Sequence, residues 1–135
     1  DELRCRDRMK TPYPIDLRET RLPILAGVFE AIRAHCGHKP IRVISAYRTP
    51  AYNATLTGSA SSSQHVQGRA LDLAPPAGMN VAEFFRLILL LAETTPDIGG
   101  VGLYRDGHLH VDTRPRLPDG HLALWGTEHL PESRA

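Results

Sequence analysis

The apolar positions of the chain fall into two helical stripes and several short alternating runs. From Leu22 to Cys36, the residues Leu25, Val28, Phe29, Ile32 and Cys36 recur at helical spacing and share one face. Thr20 is placed to cap this helix, Pro23 suits its first turn, and Gly37 suits its end. A second helix is expected from Asn80 to Glu93 or Thr94. Asn80-Val-Ala-Glu83 has the form of a capping box, and Phe84, Phe85, Ile88, Leu89 and Leu91 make the helix apolar on most sides.

The strands alternate instead. Ile41 to Ala46 reads as one, followed by a short helix that Thr49 caps and Pro50 begins. Arg69-Ala-Leu-Asp72-Leu-Ala74 is a second, with Leu71 and Leu73 on one face and Asp72 on the other. Gly99 to Tyr104 forms a glycine-rich third. Asp106-Gly107 then fits a two-residue hairpin turn, so that His108 to Thr113 returns antiparallel. In that last strand Leu109 and Val111 face one way, and His108, His110 and Asp112 the other. Residues 1–13 read as a loosely ordered, charged lead-in. Residues 114–135 read as a proline-rich, mostly irregular tail that Leu122, Leu124 and Trp125 pack back on the domain.

This order of elements predicts the α+β class, a small antiparallel sheet packed with helices, and 135 residues suit one domain spanning 1–135. The net charge of +1, with arginines dispersed along the chain, gives no nucleic-acid footprint. The one solid apolar run, Leu87 to Ala92, is far too short for a membrane span. The glycines near Gly100 lack both the spacing and the following helix of a dinucleotide fingerprint. Cys5 and Cys36 form either one disulfide in an oxidising compartment or two reduced thiols.

The chemistry gathers in two segments. His65 sits on a loop and Asp72 on the strand that follows it, with Gly68 as a turn point between them. His108, His110 and Asp112 share a strand face further on. Two loop-and-strand segments that each aim His and Asp at one surface suggest a mononuclear zinc site. Strand phase alone admits either His108 or His110 as the ligand. The plain alternative is a polar core without metal, but two buried Asp and two His are costly without an ion or a complete hydrogen-bond network. Tyr47 and Arg48 stand at the end of the first strand, where Arg48 could hold a carboxylate or stabilise an oxyanion; its bland alternative is an ordinary surface arginine. Gly58 to Gln64 is a small-residue loop leading to His65. Its composition suits a mobile rim beside a cleft, with Ser63 and Gln64 at the inner end. His35 and His38 at a helix end, and His121 and His129 in the tail, read as surface residues.

Three stretches carry a resemblance: Ile44-Ser-Ala-Tyr-Arg-Thr-Pro-Ala-Tyr-Asn53, Ser63-Gln-His-Val-Gln-Gly-Arg-Ala-Leu-Asp72, and Gly100-Val-Gly-Leu-Tyr104 with His110-Val-Asp112. In this order they resemble the M15 family of zinc D-alanyl-D-alanine carboxypeptidases, in its compact bacterial and phage branch. The resemblance covers about Asp1 to Trp125. It implies the α+β fold shared with the hedgehog signalling domain, and Zn2+ held by His65, Asp72 and His110. It also implies a peptidoglycan peptide as substrate, met by Arg48 with Tyr47, Ser63 and Gln64 nearby.

One departure concerns the base. Many family members carry the catalytic carboxylate three residues before the last histidine ligand, where this chain has Gly107. Asp106, His108 and Asp112 are then the candidates for that role, with Arg48 completing the catalytic set. A rival reading is a catalytically silent zinc module that binds peptidoglycan or a protein partner. The expected form is a monomer, periplasmic or secreted if bacterial, and cytoplasmic until lysis if from a phage.

Overall fold

The structure, a computed structural model, describes residues 3–56 and 63–130. Its elements are α1 (Ile15–Thr20), α2 (Leu22–His35), β1 (Val43–Ser45), α3 (Pro50–Ala54), β2 (Ala70–Leu73), α4 (Val81–Ala92), β3 (Gly100–Leu103), β4 (Leu109–Asp112) and β5 (Ala123–Trp125). The strands form one sheet in the order β1-β2-β4-β3-β5. The fold is α+β, as expected.

The two faces of this sheet have opposite chemistry because side chains alternate along each strand. Leu71 and Leu73, Val101 and Leu103, and Leu109 and Val111 are buried on one face. There they meet Leu25, Val28 and Ile32 of α2 and Phe84, Phe85, Ile88 and Leu91 of α4. Each such side chain contributes about 1.5–3 kcal/mol by leaving water. Asn80 and Glu83 close the capping box at the start of α4. The helix is amphipathic rather than apolar all round, since Leu90 is 66% exposed. The other face carries Ala70, Asp72, His110, Asp112, Gly100 and Gly102, the polar half of the alternation.

Four features depart from the sequence reading. The chain is already helical before α2: Thr20 ends α1, and its hydroxyl donates to Asp16 O instead of capping α2, whose N-cap is Arg21. The hairpin loop has three residues, because Tyr104 N donates to His108 O at 2.9 Å and Gly107 takes the positive φ of +91°. The lead-in is packed: Cys5 and Tyr13 are buried with Tyr47, and the Asp7 carboxylate accepts from the Thr11 N–H and hydroxyl. The tail supplies β5, which runs parallel to β3 in an otherwise antiparallel sheet. Cys5 and Cys36 are both buried free thiols.

Candidate metal centre and cleft

The sheet register builds the site. Asp72 on β2 and His110 on β4 are direct cross-strand partners, so their side chains rise side by side from the polar face. His65 reaches the same point from the loop before β2. That loop is held by the N-terminal region: the Tyr13 hydroxyl donates to Gly68 O, and the Arg21 guanidinium donates to Gln67 O at 2.8 Å. Ser63 Oγ accepts from His65 N, and Gln64 Oε1 accepts from Arg69 Nε at 2.6 Å.

His65, Asp72 and His110 each bring one ligand atom within 4.8 Å of the others, and all three residues are buried. The ring orientations of both histidines are fixed from behind. The Nδ1–H of His65 donates to Ala46 O at 2.6 Å, which leaves its Nε2 bare. The Nε2–H of His110 donates to Asp112 Oδ2 at 2.7 Å, which leaves its Nδ1 bare. These two bare nitrogens lie 3.1 and 3.3 Å from Asp72 Oδ1, yet neither has a hydrogen-bond partner of acceptable geometry. Two buried, unpaired imidazole nitrogens converging on one carboxylate oxygen are costly as they stand, and fit a cation. A tetrahedral ion with bonds of about 2.0–2.1 Å would set its ligand atoms about 3.3–3.4 Å apart, close to the two nitrogen-to-Asp72 distances.

The electrostatics agree at Asp72 and His65, whereas at His110 burial is outweighed by the hydrogen bond to Asp112 and the imidazole is raised. Burial works against ionisation of Asp72, but the close approach of the His110 and His65 imidazoles outweighs it and holds the carboxyl well below its ordinary range. Burial pushes His65 down, toward the neutral imidazole that a metal requires. Two further groups grip Asp72: the Tyr104 hydroxyl donates to Oδ1 at 2.9 Å, and Arg48 donates to Oδ2 at 3.2 Å. Burial keeps the Tyr104 phenol protonated far above its usual range, so it remains a donor.

A cleft of about 260 Å³ opens beside the cluster, lined by Arg6, Arg48, Tyr52, Asp72, Tyr104, Asp106 and His108 among others. Arg48 is fixed on its wall by Ser45 Oγ, Asn53 Oδ1 and Asp72. His108 pairs with Asp106 at 3.1 Å in the same cleft and is not part of the cluster. Strand phase admitted His108 as a ligand, but it lies just before the start of β4, one alternation away from the position opposite Asp72.

Four residues lie elsewhere than the sequence suggested. Asp112 is fully buried, and its carboxylate is occupied by His110 and by the Nε and Nη2 of Arg114, so it supports a ligand and is closed to a substrate as a base. Tyr47, expected at the cleft, is 7% exposed and packs on Tyr13 in the second apolar cluster. Ser63 and Gln64 shape the turn before His65 and do not line the cleft. The rest of the expected mobile rim, residues 58–62, lies outside the described residues. Sequence reasoning missed Tyr104, although its place two residues beyond Gly102 puts it on the polar face. It also missed Asn53 and the Ala46 carbonyl, for which only the folded loop gives a signal.

A buried His-Asp-His set, held from behind and reached from a polar cleft through Asp72, could hold a single metal ion. Residues 1–112 match the family described as Peptidase M15, and the chain belongs to that family. Its members are zinc-dependent metallopeptidases. The matched stretch contains His65, Asp72 and His110. Comparison with curated protein sequences finds none that matches the chain.

Proposed function

We propose that the protein is a zinc peptidase that hydrolyses the stem or cross-link peptides of bacterial peptidoglycan, as a D-Ala-D-Ala carboxypeptidase or an endopeptidase. The observation that carries the metal chemistry is the pair of bare imidazole nitrogens aimed at Asp72 Oδ1. The peptidoglycan substrate rests on the resemblance of the three stretches and on the fixed cation at the cleft. His65 through Nε2, Asp72, and His110 through Nδ1 would hold Zn2+. When bound, zinc supplies Lewis acidity and a water of lowered pKa.

The chain's own groups divide the remaining work. Arg48 offers a positioned guanidinium to a substrate carboxylate or to the charge that develops on the scissile carbonyl. Tyr104 remains a neutral donor beside the cluster. His108, oriented by Asp106, accepts and returns the proton, in the place where other members carry an acid and this chain has Gly107.

The second reading, a silent zinc module that binds the wall, draws on the same Gly107: among the described residues, the carboxylates lining the cleft are Asp72 and Asp106 alone. Hydrolysis of soluble peptidoglycan peptides, with and without chelator, separates the two. Zinc-dependent release of D-Ala or of a cleaved cross-link supports the peptidase. Sedimentation with wall material without any turnover supports the silent module.

A further inference from the structure

Trp125, the one tryptophan of the chain, lies on the same face as the metal cluster. The pairings Ser45 to Asp72, Asp72 to His110, His110 to Gly102 and Gly102 to Trp125 run straight across the sheet. The gap in this row is Gly102. A Cβ there would fall inside the indole ring of Trp125, so only glycine lets the ring lie over β3. The indole reaches His110, with ring centroids 5.5 Å apart, and meets Tyr104 edge-on at 5.1 Å. It is nevertheless 37% exposed, next to a histidine that is 4% exposed. The backbone behind it is tightly seated: Gly126 sits so close to Leu103 O that no side chain would fit. Trp125 also lies beyond the stretch matched to the family.

The two ends of this row differ in charge. At the β1 end stands Arg48, and Asp106 and His108 of the β3–β4 hairpin line the cleft it faces. At the β5 end is the indole, which meets the neutral Tyr104 phenol of the cleft, and Arg114 is occupied by Asp112. A peptide lying across the strands with its carboxylate toward Arg48 would rest the residue on the amino side of the scissile bond against the indole.

We propose that Trp125 is a substrate-contacting platform that selects an uncharged, apolar residue on the amino side of the scissile bond. This rests on the peptidase reading in one respect only, that a peptide occupies the cleft. The contact needs no covalent step. A single apolar group held against such a wall is worth about tenfold in discrimination, the low end for apolar selection.

The lone tryptophan provides a test that does not depend on turnover. Zinc-loaded wild type, Trp125→Phe and Trp125→Ala would be titrated with a peptidoglycan stem pentapeptide ending in D-Ala-D-Ala, and with versions carrying Gly or D-Asp at the penultimate position. Indole emission is followed in the wild type, and zinc content, KM and kcat in all three. The platform predicts an emission change on binding of the D-Ala peptide and a weaker one with D-Asp. It also predicts a roughly tenfold rise in KM for Trp125→Ala with little change in kcat, loss of the D-Ala over D-Asp preference, and near-complete rescue in Trp125→Phe. Should Trp125→Ala lose zinc, Trp125→Phe and the wild-type emission carry the test. An emission change without hydrolysis would leave the platform standing while the peptidase reading fails. Absence of any emission change, or hydrolysis with unaltered KM and selectivity in Trp125→Ala, overturns the platform and leaves the peptidase reading intact.

Discussion

Removing Asp112 tests whether the site is built from behind. Its carboxylate holds the Nε2–H of His110 and the Arg114 guanidinium, and it is wholly buried. Asp112→Ala leaves a nearly buried imidazole and a guanidinium, itself 28% exposed, without their anion. Breaking such a buried pair by removing one partner costs about 3–5 kcal/mol; Arg114 can turn partly to water, so the low end, about 3 kcal/mol, is expected. The His110 ring also loses the contact that fixes its tautomer, and zinc affinity should fall about 10–100-fold. Asp112→Asn keeps the shape and an acceptor for His110 but not the charge, so it should keep more affinity than Asp112→Ala while still losing stability through Arg114. Urea unfolding at neutral pH measures the first effect and chelator competition the second. If both variants bind zinc within about twofold of wild type, His110 is not positioned through Asp112 and the ligand-support argument fails.

Two further outcomes concern the scaffold. Phe84 is fully buried between helix and sheet, and Phe84→Ala should cost about 3–5 kcal/mol in urea unfolding, with a smaller loss pointing to a core that collapses into the gap. Burial raises the Tyr13 phenol to about 12 while its hydroxyl donates to Gly68 O. The folded value lies above the unfolded one, so its stabilisation is complete below about pH 10 and is lost as pH rises through about 12. Stability curves at alkaline pH should therefore fall less steeply in Tyr13→Phe than in wild type; equal slopes would remove Tyr13 from the account.

Much of this architecture is legible in the chain because alternation is local. Leu109 and Val111 against His110 and Asp112, and Leu71 and Leu73 against Asp72, announce the two faces and put the ligands on the polar one. The capping box at Asn80 and the cap at Thr49 are equally local and form as read. What the alternation lacks is register between strands. His108 and His110 share a face, and only the pairing of Asp72 with His110 decides which of them reaches His65. The same limit hid β5: Pro118-Asp119-Gly120 and the alternation of Leu122 and Leu124 are local signals, but the parallel pairing with β3 depends on glycines far away in sequence. Tyr47 read as a cleft residue because it adjoins Arg48, but neighbours along an extended chain point opposite ways, and Tyr47 points into the cluster with Cys5 and Tyr13.

The central claim is that His65, Asp72 and His110 form a zinc site and that His108 stands outside it. Metal analysis of wild type, His110→Ala and His108→Ala, each purified without added metal and checked for folding by urea unfolding, tests it most directly. The account predicts one zinc per chain in wild type and in His108→Ala, and its loss in folded His110→Ala. Zinc kept in His110→Ala and lost in His108→Ala, or no zinc in wild type even after it is added back, would contradict it.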